Sequence, residues 1–370
     1  MSIGSIEMIS FRNHAHTILE FNRGLTVIWG ENGSGKTTVL EAIHSLSLGK
    51  SFRTSKRREL IKDGSAQLVL SGLFCSDGND EKVSLLQKQS GERKIKINKD
   101  TIYNRKDLIG RNNTVVLSPE EQIVTNGPPS ARRRFFDKLF SVVSRDYVNT
   151  LYLYGRLLKQ RNAALKKFEN EQKNLNEIEI WDDGLSDCGS QLWRLRNELL
   201  CEYQSRLRLI SEKYDREIKL SLLFNNNVPT KEEYRKGLSG TLKKDLVRKY
   251  TSFGPHRDEI SVHWNARDLR SHGSQGEHKL ALVILKLAEL LVVIEKTNTA
   301  PIFLVDDLFA KLDRGRSRKI ISLLQTMKDD NGNSIQTIVT TTDLLLLKDS
   351  GLRLEDENAR TYHLERGCSI

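Results

Sequence analysis

Cysteine is scarce in this sequence and without order in its spacing. The four residues, Cys75, Cys188, Cys201 and Cys368, include no CxxC pair, so neither a zinc site nor a disulfide framework follows, and a reducing cytosol fits. Long apolar runs are missing as well. The most apolar segment, "LALVILKLAELLVVI" at 280–294, carries Lys286 and Glu289, is too short to span a bilayer, and reads as a buried helix. The opening "MSIGSIEMIS" has no basic flank and no sustained apolar stretch, so no signal peptide is expected. There is no repeat or low-complexity tract, and no membrane partner is implied. What is present is 38% hydrophobic and 29% charged residues over 370 positions, enough for one large domain or two ordinary ones around a real core. The formal charge of +11 and a pI near 9.4 serve either solubility or a polyanionic partner such as nucleic acid.

Residues 1 to about 115 alternate short β-rich runs with turns. Strands are predicted at 25–30, 66–74, 94–98 and 113–118, and a helix at 37–49 that stops at a glycine. Between about 130 and 222 the pattern becomes helical. One apolar stripe runs from Phe136 through Leu139, Phe140, Val143, Tyr147, Leu151 and Tyr154 to Leu158, and a second from Trp181 to Leu207. Together they predict an antiparallel arm with sides of about 30 residues, or about 45 Å, too short for a long coiled coil. Beyond Tyr250 strands return at 259–264, 301–307 and 335–343, with a helix at 276–296. The expected fold is therefore α/β, one head of mixed sheet and helices interrupted by a helical insertion. Its N-terminal lobe spans 1–130, the arm 131–250 and the C-terminal lobe 251–370.

Gly30-Glu31-Asn32-Gly33-Ser34-Gly35-Lys36-Thr37 satisfies GxxxxGK[ST] and lies between a predicted strand and a predicted helix. Glycines let backbone N–H groups curl around phosphates, Lys36 reaches the β- and γ-phosphates, and the Thr37 hydroxyl ligates Mg²⁺; Thr38 follows in the same turn. "IFLVDD" delivers Asp306 to the end of an apolar strand, where a carboxylate holds the water shell of Mg²⁺, and Asp307 stands where a general base polarises water. Ser274, Gln275 and Gly276 precede a long helix whose N-terminus suits an anion. Ser274 with Glu277 also reads as a capping box, and a cap is what aims such a helix. The order P-loop, Ser-Gln-Gly helix, apolar strand with acids, then "AKLD" (310–313) is that of ABC-type ATPases. In that class the signature serine of one subunit closes on the ATP held by another, which implies a homodimer around two ATP molecules. More than two hundred residues separate Lys36 from Ser274, more than transporter ATPase domains use, and this favours the SMC-like branch over a transporter subunit.

Four blocks sharpen the resemblance. "SFRNHAHTILEFNRGLTVIWGENGSGKTTVLEAIHSLSLGKSFRT" (10–54), "VVLSPEEQIVTNGPPSARRRFFD" (115–137), "FGPHRDEI" (253–260) and "LVDDLFAKLDRGR" (304–316) resemble, in order, hallmarks of the RecF family of bacterial recombination-mediator ATPases. The resemblance implies ATP and Mg²⁺ as ligands, DNA as partner at gaps and single-strand junctions, promotion of recombinase loading, and RecR and RecO as protein partners. It places a D-loop role at Asp313 and a switch role at Thr341 or Thr342. The chain departs from the family pattern at Ala310-Lys311, Glu277 and Pro128.

Three basic runs are candidates for DNA. "KSFRTSKRR" (50–58) contributes Lys56, Arg57 and Arg58, "ARRRFFDK" (131–138) contributes Arg132 and Arg133, and "KQRNAALKK" (159–167) lies along the arm. The aromatics Phe52, Phe135 and Phe136 read as core rather than as stacking platforms. His256 and Arg257 form either an ordinary turn before a strand or a phosphate contact.

Overall fold

The computed structural model describes residues 1–76, 78–168, 175–307, 314–344, 359–365 and 368–369. The chain divides into two units. The first comprises Met1–Gln122, Ile210–Glu217 and Lys279–Ile370; the second comprises Ile123–Leu209 and Ile218–His278.

In the first unit, β1 (Ser2–Phe11), β2 (His14–Glu20), β4 (Gln67–Ser76), β5 (Asn79–Lys88), β6 (Arg93–Ile97) and β7 (Asp100–Ile102) form an antiparallel sheet of order β2-β1-β4-β5-β6-β7. A second sheet has the order β15-β14-β3-β13-β12-β8, from β3 (Leu25–Trp29), β8 (Thr114–Leu117), β12 (Ile302–Asp306), β13 (Thr337–Thr341), β14 (Arg360–Glu365) and β15 (Cys368–Ser369). All its strands but β15 run parallel. Parallel strands are buried on both faces, and β8 and β12 accordingly read as continuous buried apolar runs. The P-loop helix Lys36–Leu48 packs against both sheets. Val39, Ile43 and Leu46 share one core with Ile3, Leu70 and Val83 of the antiparallel sheet and Val116, Leu304 and Ile338 of the parallel one. Twelve of its thirteen residues are buried, Glu41 and His44 among them, so the helix is enclosed on all sides rather than lying half in solvent.

In the second unit the expected first arm stripe is two helices, Pro129–Val143 and Arg145–Lys167. Ser144 between them is extended and its hydroxyl accepts the Tyr147 N–H, so a local side-chain cap breaks a stripe that apolar spacing alone reads as continuous. The long helix Asp182–Tyr214 runs antiparallel to the pair: Arg161 meets Asp182, Tyr147 meets Arg196, and Phe136 meets Tyr203. The short helices Ile123–Asn126, Asn176–Glu179 and Leu269–His272 and the capped helix Lys231–Arg248 also belong to this unit. The sequence places "EISVHW" in the C-terminal lobe. The structure instead pairs β10 (Ile260–Trp264) with β9 (Leu220–Phe224) and β11 (Arg267–Asp268) in a small sheet of this second unit. Strand pairing about forty residues upstream leaves no local signature.

Two buried arginines organise the second unit. Arg161, with no exposed surface, donates to Asp182 at 2.7 Å, Asp245 at 2.8 Å and Thr251 at 2.9 Å. Arg196 donates to Asp137 at 2.9 Å, Asp258 at 2.5 Å and the Pro255 carbonyl at 2.7 Å. Between them lies His256, whose Nε2 donates to the Thr251 carbonyl at 2.9 Å while Nδ1 accepts from Tyr154 at 2.6 Å. Burial, joined by the cations Arg257 and Arg133, lowers its pKa to about 4, against the opposing pull of the Thr251 carbonyl and Asp245. A depressed histidine pKa means the unfolded chain binds the proton first. The stability this site contributes is therefore complete above about pH 6.5 and is lost as pH falls toward about 4. His256→Asn is expected to lose less melting temperature than wild type across that window, measured by circular dichroism; parallel losses would refute the assignment.

Candidate functional site: the P-loop and its acids

The phosphate turn follows from its backbone. Gly30, Gly33 and Gly35 have φ of 151°, 84° and 103°, conformations that side chains resist. A Cβ on Gly30 would lie 2.3 Å from the Leu364 carbonyl of β14, and one on Gly35 would lie 2.5 Å from His14 Nε2. The helix that starts at Lys36 has no side-chain cap and no acid in its first turn. Its leading N–H groups are therefore left without a side-chain cap, the nearby Asp306 carboxylate being taken by the Thr37 hydroxyl. Glu31, Asn32 and Gly33 form the exposed crest of the loop, while Ser34 Oγ is buried in it without a protein hydrogen-bond partner. Lys36 is buried, and its ammonium rests on the Gly30 and Glu31 carbonyls at 2.8 and 2.7 Å. Burial lowers its pKa, opposed by the charges of Asp307 and Asp306.

The acids reach the turn through strand order. Strand β13 lies between β3 and β12, so Thr340 sits beside Asp306 in register. Asp306 accepts from Thr37 Oγ1 at 2.7 and 3.0 Å and from Thr340 Oγ1 at 2.6 Å. Burial raises its pKa, the two threonine hydrogen bonds hold it down, and Glu120 and Asp307 push it up again. Asp307 has φ of 44°, in the left-handed region, and its N–H donates to the Thr340 carbonyl and hydroxyl at 3.2 and 3.1 Å. Aspartate tolerates that conformation better than most residues, and it turns the chain sharply at the strand end.

A cavity of about 650 Å³ opens here, lined by Lys36, Thr37, Thr38, Asn32, Asp306 and Asp307 together with Arg12, Asn13, Arg53 and Lys62. The sequence reading passes over these last four, and over His14 and Thr340. Arg12 grips buried Glu41 of the P-loop helix with two nitrogens at 3.0 and 2.8 Å. Asn13 bonds the Gly33 carbonyl and Thr38, and His14 reaches the Gly35 carbonyl at 3.2 Å. The usable signal was "RNH" at a hairpin tip, three polar residues where a two-strand turn needs no such side chains.

Other expected residues are placed elsewhere. Ser274, Gln275 and Gly276 fall in the second unit. The helix Gln275–Thr297 begins at Gln275, and Ser274 and Glu277 form the reciprocal capping box, at 2.7 and 3.3 Å. Thr341 bonds its own turn at Asp343, and Thr342 is exposed. Asp313 and Lys311 lie outside the described residues. Lys56, Arg57 and Arg58 are exposed, Lys56 pairing with Glu59 at 3.1 Å. Arg132 is a correction: it is 2% exposed and its guanidinium is taken by the Ile260 and Gly127 carbonyls, which leaves it unavailable to DNA. Arg133 is half-buried on the Asp258 carbonyl. Phe135 and Phe136 are core, and His256 serves the internal network described above.

A phosphate turn and a paired acid on parallel strands flanking a third, in a chain with a long helical insertion, define an ABC-type ATPase head of the SMC-like kind. The Smc head domain from Pyrococcus furiosus shares this fold at 15% identity and a TM-score of 0.56, over 100% of this chain and 95% of that one. The family model described as RecF/RecN/SMC N terminal domain matches residues 2–369. The DNA replication and repair protein RecF of Clostridium novyi (strain NT) is 33% identical over 356 residues, covering 94% of this chain and 95% of its own. RecF of Leptospira interrogans serogroup Icterohaemorrhagiae serovar copenhageni is 33% identical over 360 residues, 96% of each chain. A solved structure of the recombination mediator protein RecF with ATP, from the RecFOR pathway, superposes with a TM-score of 0.87 at 28% identity, over 100% of this chain and 97% of that one. The chain belongs to the RecF family. Similarity running the whole length leaves the transporter reading without support.

Proposed function

We propose that this chain is an ATP-driven DNA-repair ATPase that dimerises around two nucleotides, holds DNA at gaps or single-strand junctions, and promotes recombinase loading with RecR and RecO. The observation that carries the reading is the Thr37–Asp306–Thr340 cluster beside an uncapped helix N-terminus, in a chain like RecF throughout. The backbone N–H groups of residues 33–37 and the Lys36 ammonium hold the phosphates. Thr37 and Asp306 fit a magnesium ion, since a hydroxyl and a carboxylate already converge there; the ion supplies charge neutralisation on the phosphates. Asp307 takes the proton of the attacking water, and Thr340 positions both acids. Ser274 of a second copy completes the site in trans, with Asp313 at the dimer seam. An aspartate in the base position, shorter than glutamate, suits slow turnover, as a switch requires. No helix among the described residues is long and apolar enough to cross a membrane.

Sedimentation with a gapped duplex tests the reading. Wild type is expected to dimerise on DNA with ATP and return to monomer as ATP is consumed. Asp307→Asn is expected to hydrolyse about a hundredfold more slowly, the usual cost of losing a general base, and to stay dimeric. A wild type that remains monomeric with ATP sinks the clamp, and an Asp307→Asn protein with normal turnover sinks the base assignment.

A further inference from the structure

The far end of the P-loop helix gathers positive charge that the ATP site does not use. The helix closes at Gly49, left-handed at φ 64°, whose N–H returns to the Ser45 carbonyl. Two arginines from different parts of the chain converge there. Arg93, which opens β6, donates to the Gly49 carbonyl at 2.8 Å, and Arg105, in the turn after β7, donates to the Leu48 carbonyl at 2.8 Å. A Cβ on Gly49 would stand 3.3 Å from Arg105 Cγ, so the arginine stem lies directly over the glycine.

Cations at a helix C-terminus are favourable, and capping is the simplest account of one such arginine. It does not account for the group. The charges that act on Arg93 are Arg57 and Arg105, both of the same sign, and with burial they lower its pKa to about 10. Arg105 likewise feels Arg57 and no carboxylate. Glu59, the acid of the turn that carries Arg57, is engaged by Thr54 and Lys56. Each guanidinium has five N–H donors and capping uses one, while Arg93 Nε is buried without a protein partner. Three guanidiniums gathered against their own repulsion, with no ion-pair partner among the described residues, form a site for a polyanion.

The nature of the polyanion follows from Tyr103. It stands two residues before Arg105 and is 90% exposed, the most exposed large hydrophobic side chain among the described residues. A ring left in water beside a cationic surface offers a base a platform to stack on, which duplex DNA, its bases already stacked, does not need. Of the other basic runs, Arg132 and Arg161 are turned inward onto internal partners.

We propose that Arg57, Arg93 and Arg105 bind the phosphates of single-stranded DNA, with Tyr103 stacking on one of its bases. This rests on the DNA-binding reading above and assigns it to one surface. Anisotropy of a labelled oligo-dT strand, with ATP present and across a salt series, tests it on the full chain. Arg57→Ala and Tyr103→Ala alter exposed positions, so folding is not at risk. Tyr103→Ala is expected to weaken binding about tenfold, with Tyr103→Phe restoring it. Arg57→Ala is expected to flatten the dependence of log affinity on log salt by about 0.7, one phosphate contact. ATP affinity should be unchanged in all three variants. If wild type binds the strand and the variants match it, the surface is wrongly assigned. If Arg57→Ala weakens binding while Tyr103→Ala does not, or if duplex affinity falls as much as single-strand affinity, the single-strand proposal is overturned. A wild type that binds neither strand nor duplex refutes the DNA reading itself, a distinct result.

Discussion

Lys36→Ala is expected to weaken ATP binding at least about a hundredfold while leaving the melting temperature nearly unchanged. The lysine is buried at the mouth of the cavity, and its ammonium contacts only two carbonyls of its own loop. One of those, from Glu31, belongs to the exposed crest of the loop, where water replaces the lost donor cheaply. Phosphate oxygens have no such substitute. A charge-assisted hydrogen bond in a partly desolvated site contributes about 2–5 kcal/mol when its partner charge is stranded, and about 3 kcal/mol is a hundredfold in affinity. Equilibrium titration with a fluorescent ATP analogue, beside thermal melting, reads both quantities. A dissociation constant within threefold of wild type would mean that the turn does not grip phosphate through this side chain.

Arg161→Ala is expected to be the most damaging single change to the second unit. The guanidinium is fully buried between Asp182 and Asp245, so removing it leaves two carboxylates without their counter-charge. Breaking a buried ion pair from one side costs about 3–5 kcal/mol, and for a unit of this size that corresponds to a fall of about 10 °C in melting temperature. Lys159→Ala, two residues earlier and exposed, should stay within about 0.5 kcal/mol of wild type. If the two variants melt alike, the Arg161 network is not holding the unit together.

That contrast between neighbours explains what could be read in the sequence. "KQRNAALKK" reads as one basic run because composition weighs Lys159 and Arg161 equally. What separates them is Asp245, 84 residues away. Arg132 was misread for the same reason, since its acceptor at Ile260 is 128 residues distant. The phosphate-type turn, by contrast, was legible as a strand–turn–helix because its glycines are contiguous and sit at fixed offsets. Strands β3, β8, β12 and β13 were legible because they are short, largely buried runs rich in β-branched and apolar residues. Strand β5, "NDEKVSLLQK", went unseen because only every second residue of its middle stretch is buried and its start is polar. Thr340 was missed although its neighbours Thr341 and Thr342 were singled out. Only strand order places β13 between the two strands of the site, and order is not encoded locally.

The same strand order has a bearing on how the molecule is made. Strand β3, which ends at the phosphate turn, has both its partners, β13 and β14, in residues synthesised more than three hundred positions later. Gly30 seats against the Leu364 carbonyl, and Trp29 stacks on His363 at 3.9 Å. A nascent chain therefore exposes this loop long before the strands that shape it, β13 and β14, have been made. Until then strand β3 is left with two unpaired edges, the kind of surface that invites wrong pairing.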